Sequence, residues 1–254
     1  MPAAVNGTIC VYGRTKVGKT SDVLNLFRDA FVIVTERGAL APVTHQFGFT
    51  PTHVEMLAPS DPYLEMVQII EQSVVPALVS GKHSAVFLDS GTALSAMIFK
   101  HLDRKLKSDG RKVYPTHDQQ LKDILLRLLA LPVWIIVSFH EAEPSATDTA
   151  FVRGGPKTFG SKRLVEDIGG MFRLVLRGVV ENGQRAYHCD SLSPQWVQGD
   201  AYGVTAKRQP LDLRPLVWRL LRPGEAVPAH LLAAKTFRVV EEEGGAGALL
   251  SAPL

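Results

Sequence analysis

Cysteine is nearly absent: the 254-residue chain has two, Cys10 and Cys189. They stand alone and far apart, which leaves neither a disulfide framework nor a paired-thiol metal site and suits a reducing cytoplasm. Long hydrophobic runs are missing as well. None approaches the roughly 20 residues that cross a bilayer, and no basic start precedes an apolar run of signal-peptide length. The sequence therefore predicts a soluble, cytoplasmic protein with no membrane partner. Charge of one sign is not in excess, and a net +3 names no partner by itself. There is no internal repeat. Apolar side chains, by contrast, make up 46% of the chain. That content excludes disorder of the whole and is enough for one large α/β domain, or a core with a small appendage.

Short β-branched apolar runs alternate with helical patterns, the sequence form of a mostly parallel sheet flanked by helices. The buried strands are read at Thr8 to Tyr12, Phe31 to Thr35, Ser84 to Leu88 and Val133 to Ser138, with a weaker one at His53 to Leu57. Pro59-Ser60-Asp61-Pro62 supplies an N-cap and a first-turn proline. Leu64, Val67, Ile70, Val74 and Leu78 then keep helical spacing. From Glu141 to Gly160 the texture is glycine, proline, serine and threonine without period, which reads as a long, mobile, functional loop. A short helix near Ser161 to Ile168, a strand from Met171 to Leu176 and the hairpin signal Asn182-Gly183 follow, so the C-terminal extension is expected to be antiparallel. Residues 1–222 read as the core and 223–254 as a C-terminal extension and tail, frayed from Glu241 onward.

Gly13-Arg14-Thr15-Lys16-Val17-Gly18-Lys19-Thr20 matches the phosphate-loop pattern GxxxxGK[ST], between a strand ending at Tyr12 and a helix carrying Val23, Leu24, Leu26 and Phe27. The glycines let backbone N–H groups curl toward phosphate oxygens, and the following helix N-terminus adds a favourable dipole. Lys19 reaches the terminal phosphates and the Thr20 hydroxyl ligates Mg²⁺. The nucleotide cradle thus runs from Gly13 through Ser21, and the cofactors implied are ATP and Mg²⁺. Asp89 ends the apolar strand Val86-Phe87-Leu88, where such folds place the carboxylate that holds Mg²⁺. It reads otherwise as a helix N-cap, since Ser90-Gly91-Thr92 follow. Glu36 lies just past a strand expected near the phosphate-loop strand, where it would orient water; the alternative is an ordinary exposed glutamate. His140 ends a further strand on the carboxyl edge, where open α/β sheets bind ligands, or is an edge histidine.

At these residues the chain resembles the RecA-type recombinase core, and most closely the short, core-only RecA-like ATPases of bacteriophages that assist single-strand annealing and recombination. Four segments between about Thr8 and Pro210 carry the resemblance. They are the phosphate loop; Val34-Thr35-Glu36-Arg37-Gly38-Ala39-Leu40, similar to the family's strand and catalytic glutamate; Phe87-Leu88-Asp89-Ser90 at the metal strand; and Ile136-Val137-Ser138-Phe139-His140-Glu141 at the polar sensor position. The resemblance implies a RecA-type P-loop fold, Glu36 as base, a catalytic part for His140, and ATP-dependent work on single-stranded DNA. It also implies homo-oligomerisation, because basic residues late in such cores reach a neighbour's γ-phosphate. Ala206-Lys207-Arg208 is similar to that run, which implies Lys207 or Arg208 as the residue acting in trans, the alternative being a solvated basic turn. No polymerisation helix precedes Thr8, so a ring or short filament is implied, with a single-strand-binding protein as a further partner.

Lys100, Arg104, Lys105, Lys107, Arg111 and Lys112 set six positive charges against Asp103 and Asp109, a local +4 in a chain of +3 overall. The segment corresponds to the first DNA loop of a RecA core, and phosphate contacts there would be sequence-independent and salt-sensitive. Its alternative is a solvated helix face. Phe151, Arg153, Lys157 and Phe159 in the long loop combine rings with cations, as a single-strand binder requires, or else pack on the domain. Two other functions share Lys19, Thr20 and Asp89: a small-molecule phosphotransferase, and an ATP-switched assembly protein with little turnover.

Overall fold

The computed structural model describes residues 7–146, 151–201, 203, 205–222 and 225–229. In chain order the elements are β1 (Thr8–Gly13), α1 (Lys19–Leu26), β2 (Phe31–Val34), α2 (Ala41–Phe47), β3 (His53–Glu55), α3 (Pro62–Ile69), a π-helical turn (Ile70–Val74), α4 (Val75–Val79), β4 (Ala85–Asp89), α5 (Gly91–Lys105), α6 (Gly110–Leu129) and β5 (Trp134–Phe139). Four two-residue strands follow: β6 (Glu141–Ala142), β7 (Ser145–Ala146), β8 (Phe151–Val152) and β9 (Gly155–Pro156). The rest are α7 (Leu164–Met171), β10 (Leu174–Glu181), β11 (Gln184–His188), β12 (Gly199–Asp200), β13 (Arg208–Pro210) and α8 (Arg214–Leu221).

The main sheet runs β13-β11-β10-β1-β5-β4-β2-β3, with β12 also on β10. From β10 to β3 every pairing is parallel, and β11, β12 and β13 join antiparallel. This is the mostly parallel α/β sheet with an antiparallel extension that the sequence predicts. Because strand side chains alternate faces, the sheet divides the core in two. Cys10, Tyr12, Ile33, Leu88 and Val137 face the side covered by α3, α5, α6 and α7. Ile9, Val11, Val32, Phe87 and Ile136 face the side covered by α1, α2 and α8. The β10–β11 hairpin turns at Asn182 and Gly183, with φ of 51° and 72°; both positive, they match the twist of the strands they join.

Three expectations are corrected. β2 does not neighbour the phosphate-loop strand, since β5 and β4 stand between β1 and β2. The segment after β5 is not a structureless loop: β6 pairs with β9 and β7 with β8 as an antiparallel arm. The helix after Asp61 starts as expected, its carboxylate accepting from the Tyr63 and Leu64 amides, and buries the expected Ile70 and Val74, but its first turns face the core through Met66 and Ile69 rather than the exposed Leu64. A π turn follows before Pro76, which cannot donate a helical bond to the preceding turn. The tail from Glu241, with most of 223–254, lies outside the described residues.

α6 offers a direct check on the layer arrangement, because Leu125 is wholly buried whereas its neighbour Leu126 is 58% exposed. Leu125→Ala is expected to cost roughly 2–5 kcal/mol in chemical denaturation through transfer and cavity terms. Leu126→Ala should stay within about 0.5 kcal/mol; equal losses would mean that the helix is rotated.

Candidate active site

β1 delivers the chain into the phosphate loop at Gly13, where a Cβ would lie 2.4 Å from the Gly178 carbonyl oxygen of β10, too close for any side chain. The loop enters α1 through Gly18, whose φ of 103° is left-handed and which has no side chain to cap the helix. The first amides of α1 and the positive end of its dipole therefore face the loop. Lys19 lies across that loop, its Nζ donating to the carbonyls of Gly13 and Arg14 at 3.0 Å each. Burial pulls the Lys19 ammonium below its ordinary pKa, while the carboxylates of Asp89, Glu36 and Glu141 act against that shift.

Asp89, at the end of β4, is 5% exposed. Thr20 donates its hydroxyl to Oδ2 at 2.7 Å, and Ser138, from the neighbouring β5, donates to Oδ1 at 2.5 Å. Burial pushes the carboxyl above its ordinary range, and those two hydroxyl donors pull it back. A dry carboxylate beside a hydroxyl at a helix N-terminus is an oxygen-donor set of the kind Mg²⁺ takes, and a cation there would offset the burial penalty. Thr20 and Asp89 fit the metal expected of them. Among the described residues there is no group of three or more His, Cys, Asp and Glu able to hold an ion in another way. The helix-capping role open to Asp89 falls to Ser90, whose Oγ accepts from the Ala93 amide at 3.2 Å.

Thr35 explains how Glu36 arrives although its strand is distant from β1. Its Oγ1 donates to the Ser90 carbonyl and accepts from the Ser90 amide, both at 2.7 Å, clamping the end of β2 to the turn after β4. Glu36 then receives a hydrogen bond from the Ser90 hydroxyl, and its Oε1 lies 2.9 Å from His140 Nε2. The other ring nitrogen of His140 lies 3.2 Å from the Thr15 hydroxyl in the phosphate loop. Hydrogen bonding from His140 holds the Glu36 carboxyl below its ordinary range, with Ser90 adding to the effect and burial opposing it. The ends of β1, β2, β4 and β5 thus converge on one polar cluster. The sequence reading missed Thr15 as a partner of His140, and it missed Thr35 and Thr92. Their common signal is a hydroxyl residue at or just beyond the carboxyl end of a strand.

His140 also leads into the arm. Its amide donates to Thr92 Oγ1 at 2.9 Å, Thr92 donates to the Lys157 carbonyl at 2.8 Å, and the Lys157 amide returns a bond to the His140 carbonyl at 2.8 Å. Lys157 lies over the Phe159 ring, 5.9 Å from its centroid. Arg153 is not placed for DNA as expected: it turns inward to the carbonyls of Ser193 and Trp196 and to Glu166. Five donors in a fork are best satisfied by converging carbonyls. Arg14 at the rim pairs with Glu143 at 2.7 Å and approaches Glu141, which is itself bonded to Arg177 at 2.7 Å.

The remaining candidates stand apart from this cluster. Lys100, Arg104, Lys105, Lys107, Arg111 and Lys112 are exposed on a helical hairpin rather than a loop, formed by the end of α5 and the start of α6. At 1.5 Å per residue the end of α5 is about 20 Å along its axis from Ser90. Lys207 and Arg208 sit at the edge strand β13, separated from β1 by β11 and β10, and pair with Asp190 at 3.2 Å and Glu181 at 2.9 Å. The fold does not bring them to Lys19 of their own chain.

The depressed Glu36 carboxyl carries a sign. Its contribution to stability is present above the ordinary carboxylate range and is lost as the pH falls through its lowered value. In His140→Ala the Glu36 carboxyl should titrate at a higher pH than in the wild type, followed by side-chain carbon NMR. An unchanged titration would show that the imidazole is not what holds it down.

Against known proteins, a family model described as an AAA domain matches residues 6–199. Two solved structures are similar at low identity. A prototypical ATPase from the type III secretion system of pathogenic bacteria is 13% identical with a TM-score of 0.46, over 68% of this chain and 51% of that one. The RadB recombinase is 17% identical with a TM-score of 0.44, over 72% of this chain and 79% of that one. This chain therefore spans about half the length of the secretion ATPase it matches. No curated protein sequence matches. The family match covers the phosphate loop, the buried metal-type carboxylate and every strand of the parallel sheet, and the chain belongs to the AAA-domain family of P-loop ATPases.

Proposed function

We propose that this ATPase works on single-stranded DNA in recombination, annealing or replication, as a homo-oligomer that hydrolyses ATP at its subunit interfaces. The observation that carries the reading is the position of His140. Its ring touches Glu36 and the phosphate loop, while its backbone is bonded to Lys157 at the foot of the arm. A change in what Glu36 and Thr15 bind is thereby transmitted to a segment that exposes Lys157, Phe159 and Phe151. Rings and cations together suit unstacked bases and phosphates, and the exposed basic hairpin of α5 and α6 adds charge for the strand to track.

In this mechanism Glu36, ionised and oriented by Ser90 and His140, holds the attacking water and accepts its proton. Lys19 supplies positive charge to the terminal phosphates, and the α1 amides orient them. Thr20 and Asp89 would hold Mg²⁺, which when bound supplies countercharge to the phosphate oxygens. Lys207 and Arg208, exposed at the sheet edge and remote from their own Lys19, are available to a neighbour's nucleotide, as cations delivered in trans are in other NTPases.

Glu36→Gln should bind ATP normally and lose turnover, because the amide keeps the shape and removes the base. A Lys207→Ala, Arg208→Ala double variant should bind ATP and turn over poorly. Mixing the two should recover activity, since each supplies what the other lacks at a shared interface. No recovery in co-assembled mixtures would remove the two basic residues from the active site.

DNA affinity, titrated with labelled single strands, should fall steeply with salt. Neutralising Lys105, Lys107 and Arg111 together should weaken it without lowering the thermal transition, because exposed charges contribute little to stability. Unchanged affinity would move the DNA site elsewhere.

A further inference from the structure

Arg185 and Tyr187 lie two residues apart on β11 and so project from the same face of the strand. The Tyr187 hydroxyl donates to Asp22 Oδ2 at 2.7 Å, in the first turn of α1. That bond, buried on both sides, seats this face of β11 against the start of the helix. Arg185 stands two residues closer to the Asn182-Gly183 turn, and its guanidinium lies against Gly18. Nη1 is 3.1 Å and Cζ 3.7 Å from the point that a Cβ on Gly18 would occupy. Gly18 is held to glycine by its left-handed backbone, with the arginine packed beside it.

The N-terminus of α1 beside that guanidinium favours an anion in addition to the Asp22 carboxylate that the first turn of the helix already holds on this side. Gly18 brings no side-chain acceptor to the N-terminus of α1, where amides and the positive end of the dipole face outward. Lys19 approaches the same loop from its inner side, held by the Gly13 and Arg14 carbonyls. Backbone bonding keeps Arg185 in register, since its carbonyl accepts from the Leu211 amide at 3.2 Å and the side chain of Leu211 also reaches Gly18.

We propose that Arg185 is a second in-chain cation for the polyphosphate of the bound nucleotide, reaching it from the β11 side while Lys19 reaches it from within the loop. The proposal rests on the reading that the loop takes nucleotide phosphates. A guanidinium is always charged and presents a rigid planar fork that matches two phosphate oxygens side by side, whereas the ammonium of Lys19 is a compact point charge on a flexible stem. The antiparallel extension then takes part in binding, and the β10–β11 hairpin is fastened to the nucleotide as well as to α1. Such a contact acts on the bound ground state, so it governs affinity for ATP and ADP alike.

The test is calorimetric titration of ATP, ADP and inorganic pyrophosphate into the wild type, Arg185→Ala, Arg185→Lys and Lys19→Ala. Arg185→Ala is expected to weaken all three at least tenfold with an unchanged thermal transition, and Arg185→Lys to restore part of the loss. If Arg185→Ala fails to fold, Arg185→Gln carries the same comparison. Unchanged affinities in the Arg185 variants, with Lys19→Ala weakened, would overturn the role of Arg185 and leave the phosphate loop standing. A loss for ATP and ADP but not for pyrophosphate would assign Arg185 to the nucleoside and overturn the phosphate contact. A wild type that binds none of the three would overturn the loop reading itself, and this proposal with it.

Discussion

A carboxylate in the dry interior is expensive unless its surroundings supply donors or a cation, and Asp89 is placed in that position. Much of the surrounding architecture answers its charge. Ser138 reaches it from the neighbouring strand β5, and Thr20 reaches it from the first turn of α1. Because β5 lies between β4 and β1, these contacts bind the phosphate loop to the strand that carries Asp89 across an intervening strand. One residue on, Ser90 caps α5, pairs with Thr35 through its backbone and bonds Glu36 through its hydroxyl. The proposed metal end of the site and the proposed base end therefore both depend on two consecutive residues, Asp89 and Ser90, and displacement of one disturbs the other.

The parts of this arrangement that were legible in the sequence are those fixed by local chemistry. The phosphate loop is contiguous, and its glycines and lysine must occur at set spacing for a loop to close on phosphate. Asp89 could be read because an apolar strand ending in a carboxylate leaves few structural explanations, and Asn182-Gly183 because few residues accept two consecutive positive φ values. Strand order was not legible to the same degree. The sequence places the strand of Glu36 near β1, whereas Glu36 arrives through a clamp at Thr35; a hydroxyl at a strand's end marks that residue, but the partner it clamps is set by strand order. The arm carries no strand signal in the sequence because its strands are two residues long, below any periodicity that a pattern can report.

Arginines were the least legible class. Arg153 and Arg185 both lie beside glycine-containing turns, in Phe151-Val152-Arg153-Gly154 and Gly183-Gln184-Arg185-Ala186, with nothing in either stretch to give the direction of the side chain. The fold turns Arg153 into a fastener for the 193–196 carbonyls and sets Arg185 against the phosphate loop. Composition reports the charge but not the direction in which a long side chain leaves the backbone, and direction decides between structural and ligand roles. Lys207 and Arg208 differ again: they pair with Asp190 and Glu181 at the sheet edge, and the part proposed for them requires a neighbouring copy.

The central claim is that Asp89 and Thr20 form the metal end of an ATP site whose base end is Glu36. Its most direct test is the Mg²⁺ dependence of ATP affinity, measured by calorimetry in the wild type and in Asp89→Asn, which keeps the side chain's shape while removing its charge. The account predicts that Mg²⁺ tightens ATP binding to the wild type and that this gain is lost in Asp89→Asn. An equal gain from Mg²⁺ in both proteins would contradict it.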